Sequence, residues 1–138
     1  MTAPFRSSIM TVRPEWIDYN GHLNMAYYNV LFDHCADEVY DLIGFGPDYH
    51  KTTGNTTYVA EFHLAYVREL HVNDPVTVTF QLIDFDSKRF HSYQEIWHQA
   101  ATTPRRRQQR HPSKIDPAAP VQSRAFHAAR PRIYARNR

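Results

Sequence analysis

The sequence predicts an α+β fold in which an antiparallel sheet packs on one long helix. Three observations carry this expectation. Apolar residues recur every three or four positions from Met25 to Leu42, the stripe of an amphipathic helix. Two later segments, Thr56–Val67 and Val76–Phe85, alternate side chains between two faces, the period of a strand. Short turns separate the later segments, as antiparallel neighbours require.

Taken in order, Ser7–Val12 reads as a short first strand, ended by Pro14, which cannot donate to a ladder. The helix follows. Met25, Tyr28, Phe32, Cys35, Val39 and Leu42 form its apolar stripe, and Asn29, Asp33, Asp37 and Asp41 step by four along another face. Asn24 is the expected N-cap, and Gly44-Phe45-Gly46-Pro47 the stop. Thr56–Val67 is the expected second strand, with Tyr58, Ala60, Phe62, Leu64 and Tyr66 on one face. Asn73-Asp74-Pro75 turns the chain into Val76–Phe85, and Asp84–Ser87 turns it into a fourth, aromatic-rich strand, Lys88–His98.

The 138 residues are 42% hydrophobic and 14% aromatic, enough for one domain with a core. A formal charge of +2 hides two unlike parts. Residues 1–98 hold 13 of the 14 acids, while residues 99–138 hold 10 of the 16 basic residues and five of the nine prolines. An acidic domain over 1–98 is therefore expected, followed by a basic, proline-rich tail over 99–138 that reads as disordered, with Arg132–Ala135 its one short strand candidate. The change from Gln99-Ala100-Ala101-Thr102 into Arg- and Pro-rich text is what a frameshift in a GC-rich gene would encode. One cysteine, Cys35, excludes a disulfide framework within the chain, and the start Met-Thr-Ala-Pro-Phe-Arg lacks the apolar region of a signal peptide. Both features point to the cytoplasm and away from the membrane. The histidines lack metal-binding spacing, so no metal is expected. Arg105-Arg106-Arg107 suggests nucleic-acid binding through the tail, the least favoured of the readings.

The chemistry concentrates in Trp-Ile-Asp-Tyr-Asn-Gly-His-Leu-Asn-Met-Ala-Tyr-Tyr, residues 16–28. Asp18, Asn20, Gly21, His22 and Asn24 stand immediately before the helix. A helix start exposes free N–H groups and partial positive charge, which can polarise a carbonyl. A carboxylate there is a candidate nucleophile or general base, and a histidine a candidate acid–base group. Gly21 would let backbone approach a ligand. The same residues also serve ordinary caps and turns, and composition alone favours that plainer reading.

The spacing Asp18, Gly21, His22, Asn24, Tyr28 resembles the motif of hotdog-fold acyl-CoA thioesterases of the 4-hydroxybenzoyl-CoA thioesterase type. Tyr66-Val67-Arg68-Glu69-Leu70 and Asn73-Asp74-Pro75-Val76 follow in the family's order. Arg-Pro-Glu-Trp-Ile-Asp-Tyr-Asn-Gly-His (13–22), with Lys88-Arg89-Phe90-His91, is similar to betainyl-CoA thioesterases of carnitine degradation. The resemblance covers roughly residues 7–98. It implies a hotdog fold, with the sheet wrapped around the helix and the last strand missing or replaced by the tail. It also implies a homodimer or tetramer with sites at the subunit interface. Asp18, His22 and Asn24 would be catalytic, Asp18 attacking a thioester or activating water. No cofactor is implied, coenzyme A being part of the substrate. An inactive hotdog domain that only binds acyl-CoA is the alternative, and low activity is expected if the seam strand lacks a partner.

Further binding candidates are Gly21, Tyr27, Tyr28, Glu61, His63, Arg68, Lys88 and Arg89. Glu61 and His63 share a strand face, and Glu61 with Tyr27, Tyr58 or Trp97 would suit a quaternary ammonium acyl group. Arg68, Lys88 and Arg89 would suit coenzyme A phosphates. Solvated strand faces and strand-end solubility explain the same residues without a ligand.

Overall fold

A computed structural model describes residues 3–99 and 121–129. The elements run β1 (Phe5–Arg6), β2 (Met10–Thr11), α1 (Tyr27–Ile43), α2 (Pro47–Thr53), β3 (Pro75–Phe85), β4 (Phe90–His98) and β5 (Val121–Ala129), with a 3-10 turn at Pro14–Trp16 before α1. One antiparallel sheet joins them in the order β1-β3-β4-β5, with β2 also on β3.

The core lies between α1 and one sheet face. Leu31, Phe32, Cys35 and Val39 of α1 meet Val76, Val78 and Phe80 of β3 and Ile96 of β4, with Val12, Trp16, Leu23 and Leu70 closing one end. Each large apolar side chain buried this way contributes about 1.5–3 kcal/mol of transfer free energy. Burial also pushes the Cys35 thiol up to about 12, so it sits there as a protonated apolar group. The opposite face of β3 is covered differently. Arg6 donates to Thr77 Oγ1 at 2.9 Å and stands over the Trp97 ring at 5.7 Å.

Several expectations are corrected. The first strand is two short pieces, because Ser7 breaks the run. Its hydroxyl accepts from the Val78 N–H and donates to the Ser8 carbonyl. Helix α1 begins at Tyr27, so Met25 is outside it and 65% exposed; Leu42, at its other end, is 71% exposed. Gly44 ends α1 at φ 79°, as expected of a left-handed cap. Pro47 then opens the short helix α2, which the stop signal hid.

Thr56–Val67 is the largest difference, for among the described residues it forms no ladder, only a bridge at Val59. The expected alternation survives in burial: Phe62 and Leu64 pack against the core while Glu61, His63 and Ala65 face solvent. β3 has β1 and β2 on one side and β4 on the other, and β4 has β5 on its far side, so an edge for this segment remains only at the two ends of the sheet.

β5 comes from the basic tail, where disorder was expected. It pairs with β4 from Phe90↔Ala129 to Ile96↔Val121. The edge of β4 offers unpaired N–H and C=O groups, which a strand of weak alternation can satisfy with backbone alone. The last strand is thus replaced rather than absent. Residues 100–120 and 130–138, including Arg105–Arg107 and Arg132–Ala135, lie outside the described residues.

Candidate active site

The segment before α1 is built by main-chain hydrogen bonds. An isolated bridge joins Ile17 and Leu23, closing a tight loop over 18–22. Inside it, the Asp18 N–H donates to the His22 carbonyl at 3.1 Å and the Gly21 N–H to the Asp18 carbonyl at 3.0 Å. Gly21 has φ 85°, a left-handed conformation that glycine adopts without penalty. Nothing lies within 4 Å of where its side chain would be, so φ, not crowding, explains the glycine.

Two further bonds fix the loop to the body. The Leu23 N–H donates to the Leu70 carbonyl at 2.7 Å, and the Asn24 N–H to the Trp16 carbonyl at 2.9 Å. Trp16 stacks on Tyr27 with centroids 5.7 Å apart, and Arg13 covers the Trp16 ring at 5.2 Å. This places the loop directly against the first turn of α1.

Within that frame Asp18 is half-buried. Its Oδ1 accepts from the Asn20 N–H at 2.8 Å, which leaves Oδ2 without a partner among the described residues. His22 is also half-buried, and its ring makes no hydrogen bond to the described residues. The expectation of an Asn24 N-cap is corrected: the N-cap of α1 is Ala26, which makes no side-chain cap bond, and the turn before it is formed by Asn24. Its Oδ1 accepts from the Ala26 N–H at 3.0 Å, and its carbonyl from the Tyr27 N–H at 3.0 Å.

Tyr66 was not singled out as a site residue, yet it holds this region. Its hydroxyl donates to the Met25 carbonyl at 3.0 Å, so the Met25–Ala26 peptide is fixed at both ends. Tyr28 is the companion clamp. It is 3% exposed, donates to the Arg68 carbonyl at 3.2 Å and meets the Tyr66 ring edge-on at 5.1 Å. Burial pushes its phenol up from the ordinary value. Tyr28 thus works as a core anchor. The apolar spacing identified it as such, but nothing local could have revealed Tyr66, which acts across 41 residues.

The remaining candidates lie elsewhere. Glu61 and His63 do face the same way and bond to each other at 2.9 Å, both exposed. Arg68 is half-buried beside the Tyr28 clamp. Lys88 and Arg89 occupy the β3–β4 turn, where the Arg89 guanidinium bonds Asp86 at 2.8 and 2.9 Å; the Lys88 N–H foremost, and then Arg89, hold that carboxyl below its usual range. β3 carries that turn about 30 Å from Pro75 at strand rise. The Asp18 loop is tied to the opposite end through Leu70, so one chain does not bring Lys88 or Arg89 to Asp18. Trp97 stands beneath the Arg6 guanidinium.

A profile of the thioesterase-like superfamily matches residues 12–128. The chain belongs to that superfamily. The match includes the Asp18 loop, α1 and nearly all of β5. Among relatives of this thioesterase-like chain, a betainyl-CoA thioesterase of Pseudomonas aeruginosa is 34% identical over 86 residues, covering 62% of this chain and 54% of that protein. A Rhizobium meliloti L-carnitine dehydrogenase/betainyl-CoA thioesterase is 32% identical over 101 residues, covering 73% of this chain and 20% of that protein. The chain thus spans about half the length, or less, of these curated relatives. A Staphylococcus aureus protein solved in complex with CoA superposes with TM-score 0.74 at 23% identity, over 95% of this chain and 72% of that one. A DHNA-CoA thioesterase from Staphylococcus aureus gives TM-score 0.69 at 13% identity, over 91% and 72%. At these identities the superpositions show the fold, a hotdog-type sheet and helix.

Proposed function

We propose that the chain is an acyl-CoA thioesterase that hydrolyses a short acyl-CoA, of betainyl-CoA type, to the free acid and coenzyme A. One observation carries the reading: a half-buried carboxylate, Asp18, is held by its own main chain against the start of a buried helix, with Oδ2 left for a reactant. The names of the Pseudomonas and Rhizobium relatives support the acyl group.

The chemistry follows from the placement. Oδ2 either takes a proton from water, which attacks the thioester carbonyl, or attacks that carbonyl itself. The positive end of the α1 dipole, with any N–H of its first turn that the Tyr27–Asn24 and Asn29–Ala26 bonds leave over, stabilises the oxyanion. Collapse of the tetrahedral intermediate breaks the C–S bond, and coenzyme A leaves as thiolate. In the second route water then hydrolyses the acyl anhydride on Asp18. His22 and Asn24 shape the site, Asn24 by fixing the helix start.

The working form is a homodimer in the cytoplasm, joined along Thr56–Val67. Tyr58, Val59, Tyr66 and Val67 in that segment are 40–61% exposed, and its backbone has no ladder, the condition of a strand awaiting a partner. Light scattering should therefore give twice the chain mass. The same unpaired segment favours a second reading, a domain that binds acyl-CoA without turning it over. Retained CoA affinity with no thiol release would select it. Resequencing the gene and weighing the intact protein test the frameshift origin of the tail; a clean frame and matching mass would contradict it.

A further inference from the structure

One peptide unit outside the Asp18 loop is held from both sides. The Leu70 carbonyl accepts from the Leu23 N–H at 2.7 Å, and the N–H of the same peptide, that of His71, donates to Asp74 Oδ2 at 2.8 Å. Leu23 and Leu70 are both buried. The bridge between Ile17 and Leu23 spends the N–H groups of Asp18 and Asn24 within residues 16–24. The Leu23 N–H points the other way. Among the described residues it makes the one main-chain hydrogen bond from residues 17–24 to the chain beyond α1. Where the Asp18 loop stands therefore depends on where the Leu70 carbonyl stands.

Asp74 is itself anchored on three sides. Its N–H donates to the His71 carbonyl at 3.1 Å, which closes the turn. Its carbonyl accepts from the Val12 N–H at 3.0 Å, and the Asn73 N–H returns to the Val12 carbonyl at 2.9 Å. The other carboxylate oxygen, Oδ1, stands 3.4 Å from His98 Nε2 at the end of β4. The turn needs only the main-chain bond, so the carboxylate bond to the His71 N–H is an addition to it. An ionised acceptor makes such a bond roughly twice as strong as a neutral one. A peptide is planar, so fixing its N–H fixes the direction of its C=O. A charge on the N–H side also polarises that C=O and makes it a better acceptor for Leu23.

We propose that Asp74 is a positioning residue for the candidate active site: its carboxylate holds the Leu70–His71 peptide, and that peptide holds Leu23 and the loop that carries Asp18. Asp74 touches no reactant. It registers the loop against Val12 and the end of β4, which belong to the body of the sheet. The role in turnover rests on the hydrolytic reading of Asp18; the tie to Leu23 does not.

Amide hydrogen exchange on the full chain, resolved by residue with NMR, tests the tie without substrate. In Asp74→Ala, exchange at Leu23 should rise about tenfold beyond any rise at Cys35 and Val39, whose amides lie inside α1 and report general loosening. Asp74→Asn keeps an acceptor oxygen without the charge and should fall between. Thiol release from acyl-CoA is the second readout. Asp74→Ala should lower kcat about tenfold with KM unchanged, and Asp74→Asn should recover part of the loss. Leu23 exchange at the wild-type rate, or rising only in step with Cys35 and Val39, overturns the proposal. So does a wild-type kcat in a variant whose Leu23 amide has loosened. Should Asp74→Ala not fold, Asp74→Asn is judged by the same criteria. The two readings fail separately: a wild-type chain that releases no thiol contradicts hydrolysis at Asp18, while Leu23 exchange still decides the tie.

Discussion

The two ends of α1 are built by different means. At the start, the main chain does the positioning: N–H groups of Asp18, Gly21, Leu23, Asn24 and Tyr27 are all spent within the loop or on the Leu70 carbonyl. Side chains there remain available, above all the Asp18 Oδ2 and the His22 ring. At the far end, side chains make the structure. Rings brace one another, and three exposed aspartates of α1 line the same space. Backbone-built loops suit a site that must hold one carboxylate still.

Breaking what the two ends share should have the largest effect. Phe32 is 1% exposed midway between them and meets Phe62 at 6.3 Å. Phe32→Ala should cost about 3–5 kcal/mol in chemical denaturation and disturb both ends. Removing one clamp should separate them. Tyr66→Phe loses the bond to the Met25 carbonyl and should cost about 0.5–1.5 kcal/mol. It should lower turnover without disturbing the far end of α1, since Tyr66 does not line the space there. The smallest effect should come from Asp37→Asn, and it has the opposite sign. The Asp37 carboxyl titrates above its ordinary value in the folded chain, so ionising it penalises folding. That penalty is complete above the folded value and absent below the unfolded one. Asp37→Asn should therefore raise Tm modestly at neutral pH, with the gain fading as the pH falls through the carboxylate range.

The sequence made α1 legible because its stripe is long and its stop is a glycine in the left-handed region. The site was legible only through the ordered set Asp18, Gly21, His22, Asn24, since each residue alone is ordinary turn chemistry. The structure uses Asn24 as a turn former, its Oδ1 accepting from the Ala26 N–H. Thr56–Val67 shows where periodicity stops being informative. Alternation reports which side chains are buried, as Phe62 and Leu64 are, but not which edge is free to pair. β5 shows the converse: a segment of weak alternation joins a ladder because β4 has an open edge. Tyr66 was invisible because its bond joins residues far apart in the chain.

The central claim, that Asp18 performs thioester hydrolysis, is tested most directly by thiol release from a panel of short acyl-CoAs, betainyl-CoA included, with the wild-type chain and Asp18→Ala side by side. Wild-type protein should release coenzyme A from at least one of them, and Asp18→Ala should lower that rate on the order of 10²–10⁴-fold while keeping the wild-type fold and subunit mass. Thiol release by the folded variant at the wild-type rate, or none by wild type from any of the thioesters, would contradict the account.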